Sequence, residues 1–568
     1  MYARVQRRII MLDFAKDKKL WDNVRTSPDF ARHRKEIKEK YDVSFEIAPR
    51  TMTASEVFSL DDHGTYFRRL GQLQSSALLA LIYPDNEEYY NNLVETVWTY
   101  CNDYTWAPLG HYNDYYGVTP ADYDIGLIDI FAASVAFSMA EIKNLFSERF
   151  PKLLKDRISA EIKRRTIEPF LTRKYFWEKH PNNWCAVCMG GVAGTLIYEA
   201  PDIYMQQIDR INSAMQVYID SYADDGICVE GAAYWGFGFG FFVVHALLQR
   251  ELTCGKYDWF KNQKVKAIST YIQKMFLQKN VITTFGDCNT REGYWIGLPH
   301  ILRDVYGDEI EKLPDDAGTI IAYTHLAFSL RSVIYYKPEY VAKELKEDVA
   351  NHTDGSCFLT RRTKNYGFAT KGGNNGESHN HIDVGNFIVA RNEKQIICDL
   401  GAGSYEEGYH GDKRYTFFHP SAESHNLPIF NGVGEDSIRR DNVIVEYDRE
   451  KDVATLDITN AYGVDYVKSV VRKFTFAKNT IKVTDHYDLA NGTTIKEHFI
   501  STIEPKTDGK YVLIEDVRFY PDIDTDAKVT VVQAKSHFGY MIDVYCIDYE
   551  LPVGTKEFTL TIETPSKK

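Results

Sequence analysis

The sequence predicts a multidomain α+β protein, with a helical N-terminal part over residues 1–325 and an antiparallel, β-rich part over 326–568. Three observations predict it. The chain has 568 residues, more than a single hydrophobic core of about 250–300 residues supports. Proline-free segments of helical length fill the first part, whereas apolar and polar residues alternate in the second. Helices followed by strands, rather than interleaved with them, imply separate layers and not a mixed α/β sheet.

In the first part, Leu70–Tyr83, Tyr89–Tyr100, Leu127–Phe146 and Gln206–Tyr222 read as helices. Ile268, Tyr271, Ile272, Met275 and Phe276 recur at helical spacing. Loops rich in Gly, Pro and Asp join these segments and imply stacked helical hairpins, although no repeat of fixed length is visible. The boundary is expected between Asp315 and Ser332. Beyond it, Val443, Val445 and Tyr447 alternate with polar residues, and Phe474, Phe476, Ile481 and Val483 do the same around the turn at Lys478–Thr480. That period of two marks half-buried antiparallel strands. No low-complexity linker separates the parts, so they are expected to pack firmly on each other.

Composition narrows the function. The net charge of −13 argues against a general nucleic-acid binder, which needs a basic field. It leaves room for a polyanionic substrate held by a local basic cluster. The 39 Tyr and 31 Phe read mostly as core, with a surplus available to cover sugar faces. Nine scattered cysteines, an odd number, read as free thiols in a reducing compartment. No run reads as a membrane span. The start at Met1–Asp13 is basic, but it lacks an apolar signal core and a small-residue cleavage site. The expectation is a cytoplasmic protein with neither a nucleic-acid nor a membrane partner.

Three segments carry chemistry. In Gly372–Asn386, read as extended, His379 and His381 would project to one face and Asn380 to the other. Asp399, after the apolar residues Phe387–Val389 and Ile396–Ile397, and His425, in Ser424-His-Asn426, could join them. Two His and a carboxylate from separate segments suit Zn²⁺, and they equally suit a hydrogen-bonded cluster. In Asp225–Trp235, Glu230 and Tyr234 stand four apart and would share a helical face; a buried Tyr-Trp pair is the plainer reading. In His180–Gly191, one of Asn182 and Asn183 could simply cap the helix that follows. Cys185 and Cys188 lack the partners of a zinc knuckle and the βαβ setting of a redox motif, so they read as packed thiols.

These motifs resemble the heparinase II/III-type lyases, a group that includes oligoalginate lyases. The resemblance rests on N-N-W-x-x-V-C-x-G-G (Asn182–Gly191), D-G-x-x-x-E-G-x-x-Y-W (Asp225–Trp235) and H-N-H-x-D-x-G-x-F (His379–Phe387). Asp399, the Lys413–Tyr415 triplet and His425-Asn426 follow in the family's order. It implies an incomplete (α/α) toroid joined to an antiparallel β-sandwich. It implies that Tyr234 is catalytic, that Asn183 and His379 contact the substrate carboxylate or move a proton, and that His381, Asp399 and His425 bind a divalent metal, Zn²⁺ in a mainly structural role. Tyr415 resembles the family's substrate-contacting Tyr. Asn182, Glu230, Trp235 and Arg414 are expected around the substrate, with Trp106 and His111 from the earlier, less specific segment Trp106–Asp129.

The implied reaction is β-elimination on a uronic-acid-containing glycan, with glycosaminoglycans favoured over alginate. Either Tyr234 acts as both base and acid, or His379 is the base and Tyr234 the acid. The competing readings are a glycoside hydrolase using a carboxylate pair among Glu230, Asp225 and Asp287, and a non-catalytic glycan-binding protein on the same fold.

Overall fold

A computed structural model describes residues 17–59, 63–111, 126–288, 295–351, 357–406, 408–409, 411 and 413–566. The basic start and most of the Trp106–Asp129 segment lie outside the described residues. The N-terminal part is an incomplete (α/α) toroid and the C-terminal part an antiparallel β-sandwich.

The Asn183–Glu199 helix is the axis of the helical half. It is buried on all sides from Asn183 to Ile197, as expected of a helix apolar all round. It packs against Ile130–Leu145, Ile208–Asp220 and Gly240–Leu252. Glycine allows the closest of these approaches, since a Cβ on Gly191 would sit 2.7 Å from the Ala133 carbonyl oxygen. The predicted helices appear as His63–Ile82, Glu87–Asn102, Ile130–Leu145 and Ile208–Asp220.

Three expectations are corrected. The 268–276 repeat is not one helix: it breaks into Gln263–Ser269 and Tyr271–Met275, and Phe276 opens a strand, Phe276–Gln278. The helical half extends beyond residue 325, because Leu326–Ile334 is a helix packed into the helical core and the next strand starts at Asp348. One segment, Ala232–Leu252, is long and apolar enough to cross a membrane, but 83% of its most apolar window is buried inside the protein, which is what a core helix requires.

The sandwich half holds three sheets among the described residues. A five-stranded meander runs from Asp348 to Ile397, an eight-stranded sheet contains the predicted hairpin as Val467–Phe476 and Thr480–Leu489, and a four-stranded sheet completes it. Phe368 and Phe387 of the meander, Phe474 of the hairpin and Phe499 of the four-stranded sheet share one core. Of the alternating trio, only Tyr447 lies in a strand proper, Glu446–Asp448.

The halves are laced together by the segment that leaves the toroid. The short hairpin Phe276–Gln278/Val281–Ile282 packs on the meander strands Phe358–Arg362 and Gly367–Lys371. Immediately after it, Thr284 Oγ1 donates to the Asp399 carbonyl at 2.8 Å and Ala402 N–H donates to the Cys288 carbonyl at 3.0 Å. Residues 282–288 are thereby held against the segment that begins at Asp399.

Candidate active site

Asp287, at the end of this lacing segment, organises the site. Its carboxylate is fully buried. Oδ2 accepts from His379 Nδ1 and from an Arg414 guanidinium nitrogen, each at 2.9 Å. Oδ1 accepts from His381 Nε2 at 3.1 Å and from the Tyr409 hydroxyl at 3.0 Å. Burial alone would raise its pKa. The hydrogen bonds from both histidines and the Arg414 charge outweigh that and hold it well below the usual carboxylate range. Sequence reasoning weighed Asp287 only as a hydrolase carboxylate. With both oxygens engaged and none of it exposed, it is a positioning group and not an acid or nucleophile. Asp225, another of those candidates, accepts from its own turn at the Ile227 N–H.

His379 and His381 do share a target, but not through strand geometry. Residues 372–386 form a loop, and His379 adopts the left-handed region at φ 53°, at a cost on the order of 1–3 kcal/mol. The surroundings enforce it. Lys371 Nζ, buried, donates to Asn380 Oδ1 at 2.9 Å and to Asp383 Oδ1 at 2.6 Å. Arg414 holds the Asn380 carbonyl from outside with Nε at 2.9 Å. Arg414 also donates to the Tyr409 carbonyl at 3.3 Å. Its guanidinium is thus turned inward as a brace, which corrects its expected place on the substrate.

Tyr234 arrives from the toroid. Gly231, at φ 96°, makes the turn, and the helix begins at Ala232. Glu230 therefore lies in the turn before the helix, not on a shared helical face. The Tyr234 ring stacks on His379 with centroids 3.9 Å apart and planes at 23°. Its hydroxyl lies 3.2 Å from that of Tyr405, contributed by the sandwich half. Burial and the Asp287 charge push the Tyr234 pKa well above 10, so the phenol is protonated at rest. Asn183 is buried at the first turn of the axial helix, and its amide donates to Glu230 Oε2 at 3.3 Å. Asn182 is the helix cap, accepting from the Trp184 N–H at 3.1 Å.

The other expected substrate contacts divide. His111 is mostly buried, with Nδ1 on Asp129 Oδ2 at 2.7 Å and its ring against Trp184. Tyr415 is half-buried beside the loop, its hydroxyl 3.5 Å from the Asn375 carbonyl. Trp235 and Trp106 are core residues and not cleft residues: their indole N–H groups donate to the Ile268 and Tyr100 carbonyls, both at 2.9 Å. Tyr405, Tyr409 and Lys371 had no role assigned from sequence. Tyr405 follows Asp399 closely in the chain, and that proximity is the one signal in the sequence.

His381, Asp399 and His425 come together as the sequence predicted, with one potential ligand atom from each within 4.8 Å of the others. The donor set fits a metal ion. His381 Nδ1 and His425 Nε2 are buried with no hydrogen-bond partner, a costly state for two imidazole nitrogens unless a further group meets them. The His381 Nε2–H faces Asp287, leaving Nδ1 as the lone-pair nitrogen. Asp399 stays ionised: burial would raise its pKa, and the His425 hydrogen bond and charge lower it overall. Asn386 fixes the Asp399 carboxylate with a 2.7 Å hydrogen bond. A carboxylate behind a ligating histidine is the usual outer support of such sites.

The fold and site define a toroid–sandwich protein with a phenol–imidazole pair where its halves meet. No protein-family model matches the chain, and no curated protein matches it in sequence. Solved structures do match in fold. A heparinase III superposes with a TM-score of 0.64 at 12% identity, over 94% of this chain and 84% of that one. Heparan sulfate lyase HepC from Pedobacter heparinus gives 0.57 at 13%, over 98% and 88%. Chondroitin AC lyase from Streptomyces coelicolor A3, in complex with chondroitin sulphate, gives 0.60 at 9%, over 98% and 83%. The architecture is that of these lyases.

Proposed function

We propose that the protein is a polysaccharide lyase that cleaves uronic-acid-containing glycans, glycosaminoglycans or their oligosaccharides first among them, by β-elimination to 4,5-unsaturated uronosyl products. The observation that carries this reading is the stacking of Tyr234 from the toroid on His379 from the sandwich. Two proton-transfer groups from different halves thereby address one sugar ring. The fold shared with heparinase III and chondroitin AC lyase supports it.

In the reaction, the bond between C5 and its hydrogen breaks, a double bond forms between C4 and C5, and the C4–O4 bond breaks. His379 is suited to take the proton. Its Nδ1–H is directed at Asp287, so in the neutral ring Nε2 bears the lone pair, and the buried carboxylate stabilises the imidazolium that forms. Tyr234, held as a neutral phenol, is suited to protonate the departing O4. The neighbouring Tyr405 hydroxyl can return a proton to it. Asn183 spends one amide N–H on Glu230. Its second can meet the substrate carboxylate, where a fixed donor stabilises the enolate-like charge of the transition state. A divalent metal, Zn²⁺ in this reading, would be held by His381, Asp399 and His425 and would supply structural rigidity to the loop bearing His379.

The test is a panel of heparan sulfate, chondroitin sulfate and alginate, followed by absorbance at the ultraviolet edge. The expected result is rising absorbance with a glycosaminoglycan. New reducing ends without absorbance reject the lyase reading in favour of hydrolysis.

A further inference from the structure

The tip of the hairpin joining strands Ala527–Lys535 and Met541–Leu551 carries three large residues within four positions that face solvent: Phe538 at 48% exposure, Tyr540 at 52% and Met541 at 56%. Large apolar side chains clustered on one turn are unfavourable in water and call for a partner. The tip does not hang free. Ser404 N–H donates to the Lys535 carbonyl at 3.2 Å, His537 Nδ1 meets the Gly403 carbonyl at 3.1 Å, and Lys535 Nζ pairs with Glu406 at 2.7 Å. These bonds fasten the tip to the very loop that presents Tyr405 to Tyr234.

The rings form an unbroken series. Tyr234 contacts Tyr405 through their hydroxyls. The Tyr405 ring, itself 39% exposed, meets His537 edge-on at 4.5 Å. His537 meets Phe538 at 5.4 Å, and Phe538 lies nearly parallel to Tyr540 at 6.4 Å and 13°. The series starts at the reaction centre and ends on the protein surface.

We propose that Tyr405, His537, Phe538 and Tyr540 form a glycan-binding rail that holds sugar residues of the same polyanionic chain beyond the cleaved bond. This rests on the lyase reading for the identity of the chain. Flat rings cover the apolar faces of pyranoses, and nearly parallel rings at the surface offer successive stacking positions along an extended chain. Continuity with the candidate active site selects the glycan as occupant, because a ligand lying on Tyr405 adjoins Tyr234, whose hydroxyl is 3.2 Å from that of Tyr405.

The experiment separates the rail from the chemistry by measuring binding in a Tyr234→Phe background. Calorimetric titration would compare a heparan sulfate tetrasaccharide and decasaccharide on this variant and on the same variant carrying Phe538→Ala and Tyr540→Ala. The expected result is a loss of about tenfold or more in affinity for the decasaccharide, with the tetrasaccharide changed by less than about threefold. Tyr511→Ala, an equally exposed aromatic on another sheet, should leave both affinities unchanged. Equal decasaccharide affinity with and without the two rings overturns the rail, as does absence of binding to either probe. If the rings are needed for binding but unmutated protein yields no unsaturated product, the lyase reading falls and the rail stands.

Discussion

Replacing Asp287 with Asn removes one charge and almost no volume, and its consequences can be worked out from the contacts. The carboxylate accepts from His379, His381, Tyr409 and Arg414. An amide presents one acceptor and one donor group where two acceptors are needed. Its NH₂ therefore faces donors on one side, and His379 is driven toward the tautomer with Nδ1 unprotonated. Loss of the correct tautomer with geometry otherwise kept costs about 10⁴-fold in turnover in the serine-protease case. A drop of about 10³–10⁴-fold in kcat is expected here. Arg414 is left as a mostly buried cation without its carboxylate, which costs about 3–5 kcal/mol. The assay is kcat from ultraviolet absorbance, paired with urea unfolding. Asp287 also gives acid dependence. Its folded pKa lies below 3.8, so its stabilisation is present above that value and lost as pH falls through the folded pKa. The Asn variant should lack that component of acid unfolding. A variant with kcat within tenfold of the unmutated protein would refute the orienting role.

Three further outcomes follow from the same geometry. Tyr234→Phe deletes the hydroxyl but keeps the ring against His379, so turnover should fall by about 10²–10⁴-fold while oligosaccharide affinity is retained. Untagged protein should hold a divalent metal in stoichiometric amount by elemental analysis and lose it on His425→Ala; absence of metal from the unmutated protein would leave His381, Asp399 and His425 as a hydrogen-bonded cluster. His498 points Nδ1 at Asp548 at 2.6 Å and Nε2 at the Glu423 carbonyl at 2.9 Å, two acceptors that together call for an imidazolium. Burial lowers its pKa, but the Asp548 hydrogen bond and charge raise it overall to about 9. Its stabilisation is full below its ordinary 6.5 and lost as pH rises through about 9, so His498→Gln should flatten the urea-midpoint profile across that window.

The division into helices and strands was legible because it rests on periodicity, which is local. The His381, Asp399 and His425 trio was legible because each member stands in a short motif: His381 two residues after His379, Asp399 after an apolar run, and His425 before an Asn. Other parts were not. Phe276 reads as the end of a helix, yet it begins the strand that packs on the meander, a tertiary contact that overrides helical spacing. His379 and His381 were expected to meet through strand alternation, but a loop braced by Lys371 and Arg414 brings them together instead. Asp287 reads from sequence only as a candidate hydrolase carboxylate, since the partners that show its positioning role lie more than ninety residues away in the other half. Trp235 adjoins Tyr234 in sequence and points into the core in space, as adjacent helical residues do.

Elimination at the Tyr234–His379 pair breaks the bond without adding water to it. Digestion in heavy-oxygen water followed by mass spectrometry tests it most directly. Every new fragment ending in the uronate should be lighter than its hydrolytic counterpart by one water, and the other fragment should keep the glycosidic oxygen at its new reducing end, with no more solvent oxygen than an intact reducing sugar takes up by exchange. One solvent oxygen at each new reducing end above that exchange, with no loss of water from the uronate fragment, would contradict elimination.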